Sequence, residues 1–128
     1  MDRARIVLAD DHKDLLASVA AMLDPEFDVV EVVDDGEALI ESAWKHDPDA
    51  VVLDITMPNM DGMEAARRLM ESGSRAKIVF LTVHQNEDFV RAALDLGAHG
   101  YVVKSRLPSD LVPALRAALE GRLFVSEL

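Results

Sequence analysis

Cysteine is absent from the 128 residues. That excludes a disulfide scaffold, thiolate zinc sites and a cysteine nucleophile. Membrane-length apolar runs are missing too. The stretch Ile6 to Ala9, which follows Met1-Asp2-Arg3-Ala4-Arg5, is shorter than a signal-peptide core and far shorter than a membrane span. The chain therefore reads as soluble and cytoplasmic, with no membrane partner. Positive charge is scarce: 13 Lys and Arg face 24 Asp and Glu, a formal net charge of −11. Such a charge repels polyanions, so this domain alone is a poor ligand for DNA or an acidic membrane. It suits a site that holds a divalent cation, although most of these carboxylates read as solvated surface. Dinucleotide and P-loop glycine patterns are missing. The four histidines, His12, His46, His84 and His99, lack metal-ligand spacing.

Apolar residues are abundant, at 50% of the chain, which excludes a disordered tail. The length suits one domain that buries a core without disulfides or a structural metal. Five short apolar runs, Arg5–Ala9, Val29–Val33, Ala50–Leu53, Lys77–Thr82 and Gly100–Val103, alternate with helical patterns. Ile6-Val7-Leu8, Val51-Val52-Leu53 and Ile78-Val79-Phe80-Leu81 are continuous, as in strands covered by helices on both faces. Glu31 interrupts the second run, which suits an edge strand.

Between the runs the period changes. Leu15, Leu16, Val19, Met22 and Leu23 fall on one helical stripe, as do Leu39, Ile40 and Ala43; Met63, Ala66 and Met70; Phe89, Val90, Ala93 and Leu94; and Leu111, Leu115, Ala118 and Leu119. Asp34-Asp35-Gly36 makes a turn before the second helix, and Gly97 and Gly121 stand where helix C-caps belong. Trp44 and the methionines are core or surface filler. In the last helix Pro108 and Pro113 compete. A late start with Asp110 as N-cap places Pro113 among the positions that need no intrahelical donor, and predicts an irregular beginning. Regular β-α alternation implies a doubly wound parallel sheet with five helices. Its binding site lies beyond the carboxyl ends of the strands.

At those ends stand Asp10 and Asp11, Asp54, Thr82 and Lys104. Three carboxylates close together repel one another, and Lys104 alone leaves them unbalanced. A hard dication such as Mg²⁺ removes the conflict, because it takes oxygen ligands and favours one or two carboxylates plus a phosphate. Around one carboxylate, a metal, a lysine and a hydroxyl make a phosphoryl-transfer site. Asp54 is then the nucleophile, and Lys104 and Thr82 face the phosphoryl oxygens. Singly, each residue has an ordinary reading: a solvated turn for Asp10-Asp11, a cap for Asp54. Their joint position at one end of the sheet argues against coincidence.

The run Asp54-Ile55-Thr56-Met57-Pro58-Asn59-Met60-Asp61-Gly62, with Asp10-Asp11, Thr82 and Lys104, resembles the receiver domains of bacterial two-component response regulators. The resemblance covers residues 4 to 120. It implies a flavodoxin-like, five-stranded sheet of order 2-1-3-4-5. It also implies Asp54 as phosphoacceptor, Asp11 as direct Mg²⁺ ligand and Asp10 acting through water. The backbone carbonyl of Thr56 joins Asp54 as a further metal ligand. Thr82 becomes the switch hydroxyl and Lys104 the phosphate-binding lysine. Tyr101 reads equally well as the aromatic switch and as a packed tyrosine with its hydroxyl in water.

Three departures stand out. Ser105 replaces the proline that commonly follows the lysine, as in the NarL/LuxR branch. Val83 replaces a very small residue and crowds the entrance. Thr56 stands two residues after Asp54. These predict altered rates with function retained. His12 reads as a surface residue, and His84 as evenly placed between bordering the site and lying outside it.

The resemblance implies a sensor histidine kinase as partner and homodimerisation on phosphorylation. The domain assists its own phosphorylation and dephosphorylation and is not a turnover enzyme. Residues 1–121 read as the receiver. Residues 122–128 read as the start of a linker to a C-terminal DNA-binding, helix-turn-helix domain that controls transcription. Two other readings compete: a receiver-shaped module that never carries phosphate, and an aspartyl-phosphate phosphatase. The latter needs a second Asp where Thr56 stands.

Overall fold

The computed structural model describes residues 3–128; Met1 and Asp2, at the start of the expected receiver segment, lie outside the described residues. The elements are β1 (Arg5–Ala9), α1 (Lys13–Leu23), β2 (Asp28–Val33), α2 (Gly36–His46), β3 (Ala50–Leu53), α3 (Gly62–Glu71), β4 (Lys77–Thr82), α4 (Glu87–Leu96), β5 (Gly100–Val103), α5 (Leu107–Leu119) and β6 (Phe124–Val125). All pairings are parallel, in the order β2-β1-β3-β4-β5-β6. This is the expected doubly wound sheet with one short strand added.

Alternation along the strands divides the core in two. Val7, Val51, Leu53, Ile78, Phe80 and Tyr101 point to one face and meet Leu39, Ala65, Leu69 and Ala93 of α2, α3 and α4. Ile6, Leu8, Val52, Val79 and Val102 point to the other and meet Val19, Leu23, Leu111 and Leu115 of α1 and α5. Strands buried on both faces have no polar side to show, which is why β1, β3 and β4 read as unbroken apolar runs. Glu31 sits on the edge strand as expected. Its Oε1 accepts from Ser42 Oγ at 2.6 Å and lies 3.0 Å from His46 Nε2. Gly97 closes α4 at φ 107, a left-handed position that favours glycine.

Two features depart from the sequence reading. First, α5 does not start at Asp110. A 3₁₀ turn over Lys104–Arg106 leads directly into a helix that begins at Leu107 and runs through Pro113. The beginning is irregular, but Asp110 is no cap: it is buried and accepts from Ser126, Ser109 and Arg106. Second, residues 122–128, read as the start of a linker, contribute β6. Phe124 and Val125 pair with Gly100 and Tyr101. Ser126, 3% exposed, donates to Asp110 Oδ2 at 2.7 Å and accepts from the Val103 backbone N–H at 3.2 Å.

Candidate functional site

The chain order reverses direction at β1 and β3, which lie side by side with Ala9 opposite Leu53. The next residues, Asp10 and Asp54, therefore emerge together, and the Asp54 N–H donates to the Ala9 carbonyl at 3.0 Å. Both aspartates are buried, at 3% and 4% exposure. Lys104, from the end of β5, brings Nζ to 3.0 Å from Asp54 Oδ2 and 2.8 Å from Asp10 Oδ2. Lys104 thus pairs with both carboxylates and ties the ends of β1, β3 and β5 together. The second oxygen of Asp54, Oδ1, accepts from the Ile55 N–H at 2.7 Å.

Asp11 lies at the rim, and one ligand atom from each of Asp10, Asp11, His12 and Asp54 falls within 4.8 Å of the others. Three carboxylates and one ammonium leave two negative charges in excess. This oxygen-rich, net negative donor set fits a hard dication. Burial pushes the Asp10 carboxyl up, but the hydrogen-bonding and charge of Lys104 and the His12 donors outweigh it, holding the group below the usual aspartate value. Burial likewise opposes the charge on Lys104, yet Asp10 and Asp54 together hold its pKa above the usual lysine value.

The loop after Asp54 explains the motif Met57-Pro58-Asn59-Met60-Asp61-Gly62. Asn59 takes a left-handed φ of 68, and its side-chain amide donates to Asp35 Oδ2 at 2.9 Å. Asp35 also caps α2 by accepting from the Ala38 N–H. Asp61 caps α3 through the Glu64 N–H. Gly62 is required by close approach: a Cβ there would stand 1.9 Å from the Asp54 carbonyl oxygen. The motif thus presses the start of α3 against the backbone of Asp54.

Thr82 ends β4, fully buried, and its Oγ1 accepts from the His84 N–H at 3.3 Å. Tyr101 is fully buried and donates its hydroxyl to the His84 carbonyl at 2.7 Å. Burial, and then the charge of Asp54, pushes that hydroxyl up to about 12. Thr56 is exposed, with Oγ1 2.8 Å from His84 Nε2, and the His84 ring stacks on Phe89 of α4 at 4.3 Å. His84 therefore borders the site. Val83 projects outward at 62% exposure, and Ser105 lies in the 3₁₀ turn after β5. His12 is exposed, but its Nδ1 reaches Asp10 Oδ1 at 2.9 Å and Asp11 Oδ1 at 3.2 Å. Sequence pattern missed this contact, since only the turn after β1 brings the ring back over the aspartates.

Comparison with known proteins agrees with this geometry. The profile of the response regulator receiver domain matches residues 6–116. The nitrate/nitrite response regulator protein NarL of Escherichia coli K12 is 39% identical over 97% of this chain and 58% of its own length. The transcriptional regulatory protein DegU of Brevibacillus brevis is 33% identical over 97% of this chain and 53% of its own length. The chain thus spans little more than half of these curated relatives. Among solved structures, a LuxR-family two-component response regulator from Aurantimonas sp. SI85-9A1 superposes with a TM-score of 0.91. It is 35% identical, with coverage of 96% of this chain and 89% of that one. The isolated receiver domain of RcsB from Salmonella enterica serovar Typhimurium, with a phosphomimetic beryllofluoride, gives 0.90. It is 30% identical, with coverage of 98% and 95%. The matched profile, the strand order and the cluster at the strand ends lead to one conclusion: the chain belongs to the response regulator receiver domain family, with NarL/LuxR-type regulators among its relatives.

Proposed function

We propose that this chain is a phosphoacceptor switch that takes a phosphoryl group from a sensor histidine kinase onto Asp54 and so controls transcription. The observation that carries the reading is the unequal handling of the two Asp54 oxygens. Oδ1 is tied to the Ile55 N–H, while Oδ2 faces Lys104 beside Asp10. An Asp54 oxygen attacks the phosphorus of a phosphohistidine. The P–O bond forms as the P–N bond breaks, and the electron pair leaves with the imidazole nitrogen, which takes up a proton. Lys104 then pairs with phosphoryl oxygens, and the Thr82 hydroxyl donates to another. Asp11, Asp54 and the Thr56 backbone carbonyl would hold Mg²⁺, with Asp10 acting through water. A bound Mg²⁺ supplies the positive charge that the transferring oxygens need.

When Thr82 turns toward the phosphate it gives up the His84 N–H. His84 also holds the Tyr101 hydroxyl, so the displacement reaches β5 and alters the face formed by α4, β5 and α5. Phosphorylation promotes a homodimer. DNA contact falls to a basic helix-turn-helix module beyond residues 122–128, consistent with the charge of −11 on this chain.

Incubation with Mg²⁺ and a small phosphodonor, followed by intact mass, tests the central step. One durable phosphate is expected on the wild type and none on Asp54→Ala, which keeps its fold. No phosphate on the wild type would favour a purely binding module, and rapid multiple turnover a phosphatase.

A further inference from the structure

The loop between β3 and α3 is closed at its base and at its tip. At the base the Gly62 N–H donates to the Ile55 carbonyl at 2.6 Å, next to the acceptor Asp54. At the tip the Met60 N–H donates back to the Pro58 carbonyl at 2.7 Å, with Asn59 between them at φ 68. A three-residue turn with a left-handed centre is rare and strained for a residue other than glycine, and persists only where its surroundings hold it. Two contacts do so here, both from the start of α2. The Asn59 amide donates to Asp35 Oδ2 at 2.9 Å, while Oδ1 of the same carboxylate caps α2 by accepting from the Ala38 N–H at 2.7 Å. Beside it, the Met60 carbonyl lies so close to Gly36 that a Cβ there would stand 2.3 Å from its oxygen. Asp35, bonded at both oxygens, is thus a fixed post for the tip of the loop. The Ala38 N–H and then the Asn59 amide hold its carboxyl below the usual aspartate value. Thr56 sits on the arm between base and tip, so the direction of its carbonyl depends on both anchors.

We infer that Asp35 is a positioning residue for the cation site: anchored by the cap of α2, it ties down the loop tip through Asn59 and so aims the Thr56 carbonyl. It acts on the cation through the loop, without ligating it. The inference rests on the proposed role of that carbonyl as a Mg²⁺ ligand.

Calorimetric titration with MgCl₂ tests it on the wild type, Asp35→Ser, Asn59→Gly and the double variant, alongside amide hydrogen exchange in metal-free buffer. Asp35→Ser keeps a capping oxygen for α2 and loses the one that holds Asn59. Asn59→Gly keeps the left-handed backbone and loses the amide. In each, the Mg²⁺ Kd is expected to rise about tenfold, and the Met60 amide to exchange faster. The double variant is expected to bind no more weakly than either single one, because both remove the same bond. Exchanging the partners, Asp35→Asn together with Asn59→Asp, keeps the cap, the net charge and a donor–acceptor pair. It is expected to return the Kd to within about twofold of the wild type. An unchanged Kd in either single variant, fully additive losses, or no recovery on exchange overturns the inference. Faster Met60 exchange with an unchanged Kd makes the tie merely structural and overturns it too. All these outcomes leave Mg²⁺ binding by the wild type, and with it the proposed function, intact. If the wild type itself binds no Mg²⁺, the cation site and the inference fall together.

Discussion

Gly62 shows how one missing side chain can place a reactive one. Because a Cβ at this position would meet the Asp54 carbonyl oxygen at 1.9 Å and Ile55 Cα at 3.0 Å, the backbone of the acceptor has to move in Gly62→Ala. Overpacking of this kind typically costs about 1–3 kcal/mol. Urea unfolding of Gly62→Ala should show a loss in that range. Phosphorylation should slow by more than the stability loss explains, because Asp54 is displaced relative to Lys104. Tyr101 offers a second test, as it is the single tyrosine of the chain. Its buried hydroxyl is pushed up to about 12 from an ordinary 10.0. The folded pKa is raised, so the neutral ring contributes stability in full below pH 10, and the contribution is lost as pH climbs through about 12. Tyrosinate absorbance near 295 nm should rise with a midpoint near 12 while the chain stays folded. A midpoint near 10 would mean a hydroxyl in water and would remove the bond to the His84 carbonyl.

The last helix carries a proline where helices rarely tolerate one. Pro113 lies inside α5 and supplies no N–H to the Ser109 carbonyl one turn earlier. Both residues are exposed, so water can serve the freed carbonyl. Pro113→Ala should therefore stabilise the chain, by up to ~3 kcal/mol, read as a higher urea midpoint. The element pattern also shows what could be read in advance. Strands β1, β3 and β4 were legible because burial on both faces leaves only Val, Ile, Leu and Phe. The aspartates and Lys104 were legible because strand ends share one edge of a parallel sheet. The start of α5 was not: Asp110 looks like an N-cap until Ser126, sixteen residues on, claims its carboxylate. Nor was β6, since two apolar residues with no period cannot be told from a loop. The Thr56–His84 contact spans 28 residues and depends on how two loops meet.

Across the molecule, charge sets the response to cations. The site concentrates two uncompensated negative charges within a chain that already carries −11. A dication that binds only the folded state raises stability by about 1.4 kcal/mol at ten times its Kd. Melting curves should therefore shift upward with Mg²⁺, and Asp11→Ala should abolish the shift. In metal-free buffer the same variant should melt at or above the wild type, since it relieves like-charge repulsion. An undiminished shift in Asp11→Ala would remove that residue from the site. Where the chain is divided also matters, because of β6. A fragment ending at Gly121 would strand the His99 and Tyr101 carbonyls and the Val103 N–H, each now served by residues 124–126, and would take one donor from the buried Asp110. It would also uncover β5 as a raw sheet edge, ready to zip onto a neighbouring copy. Self-association of such a fragment would report the scissors, and only the chain carried through Ser126 would report the signal.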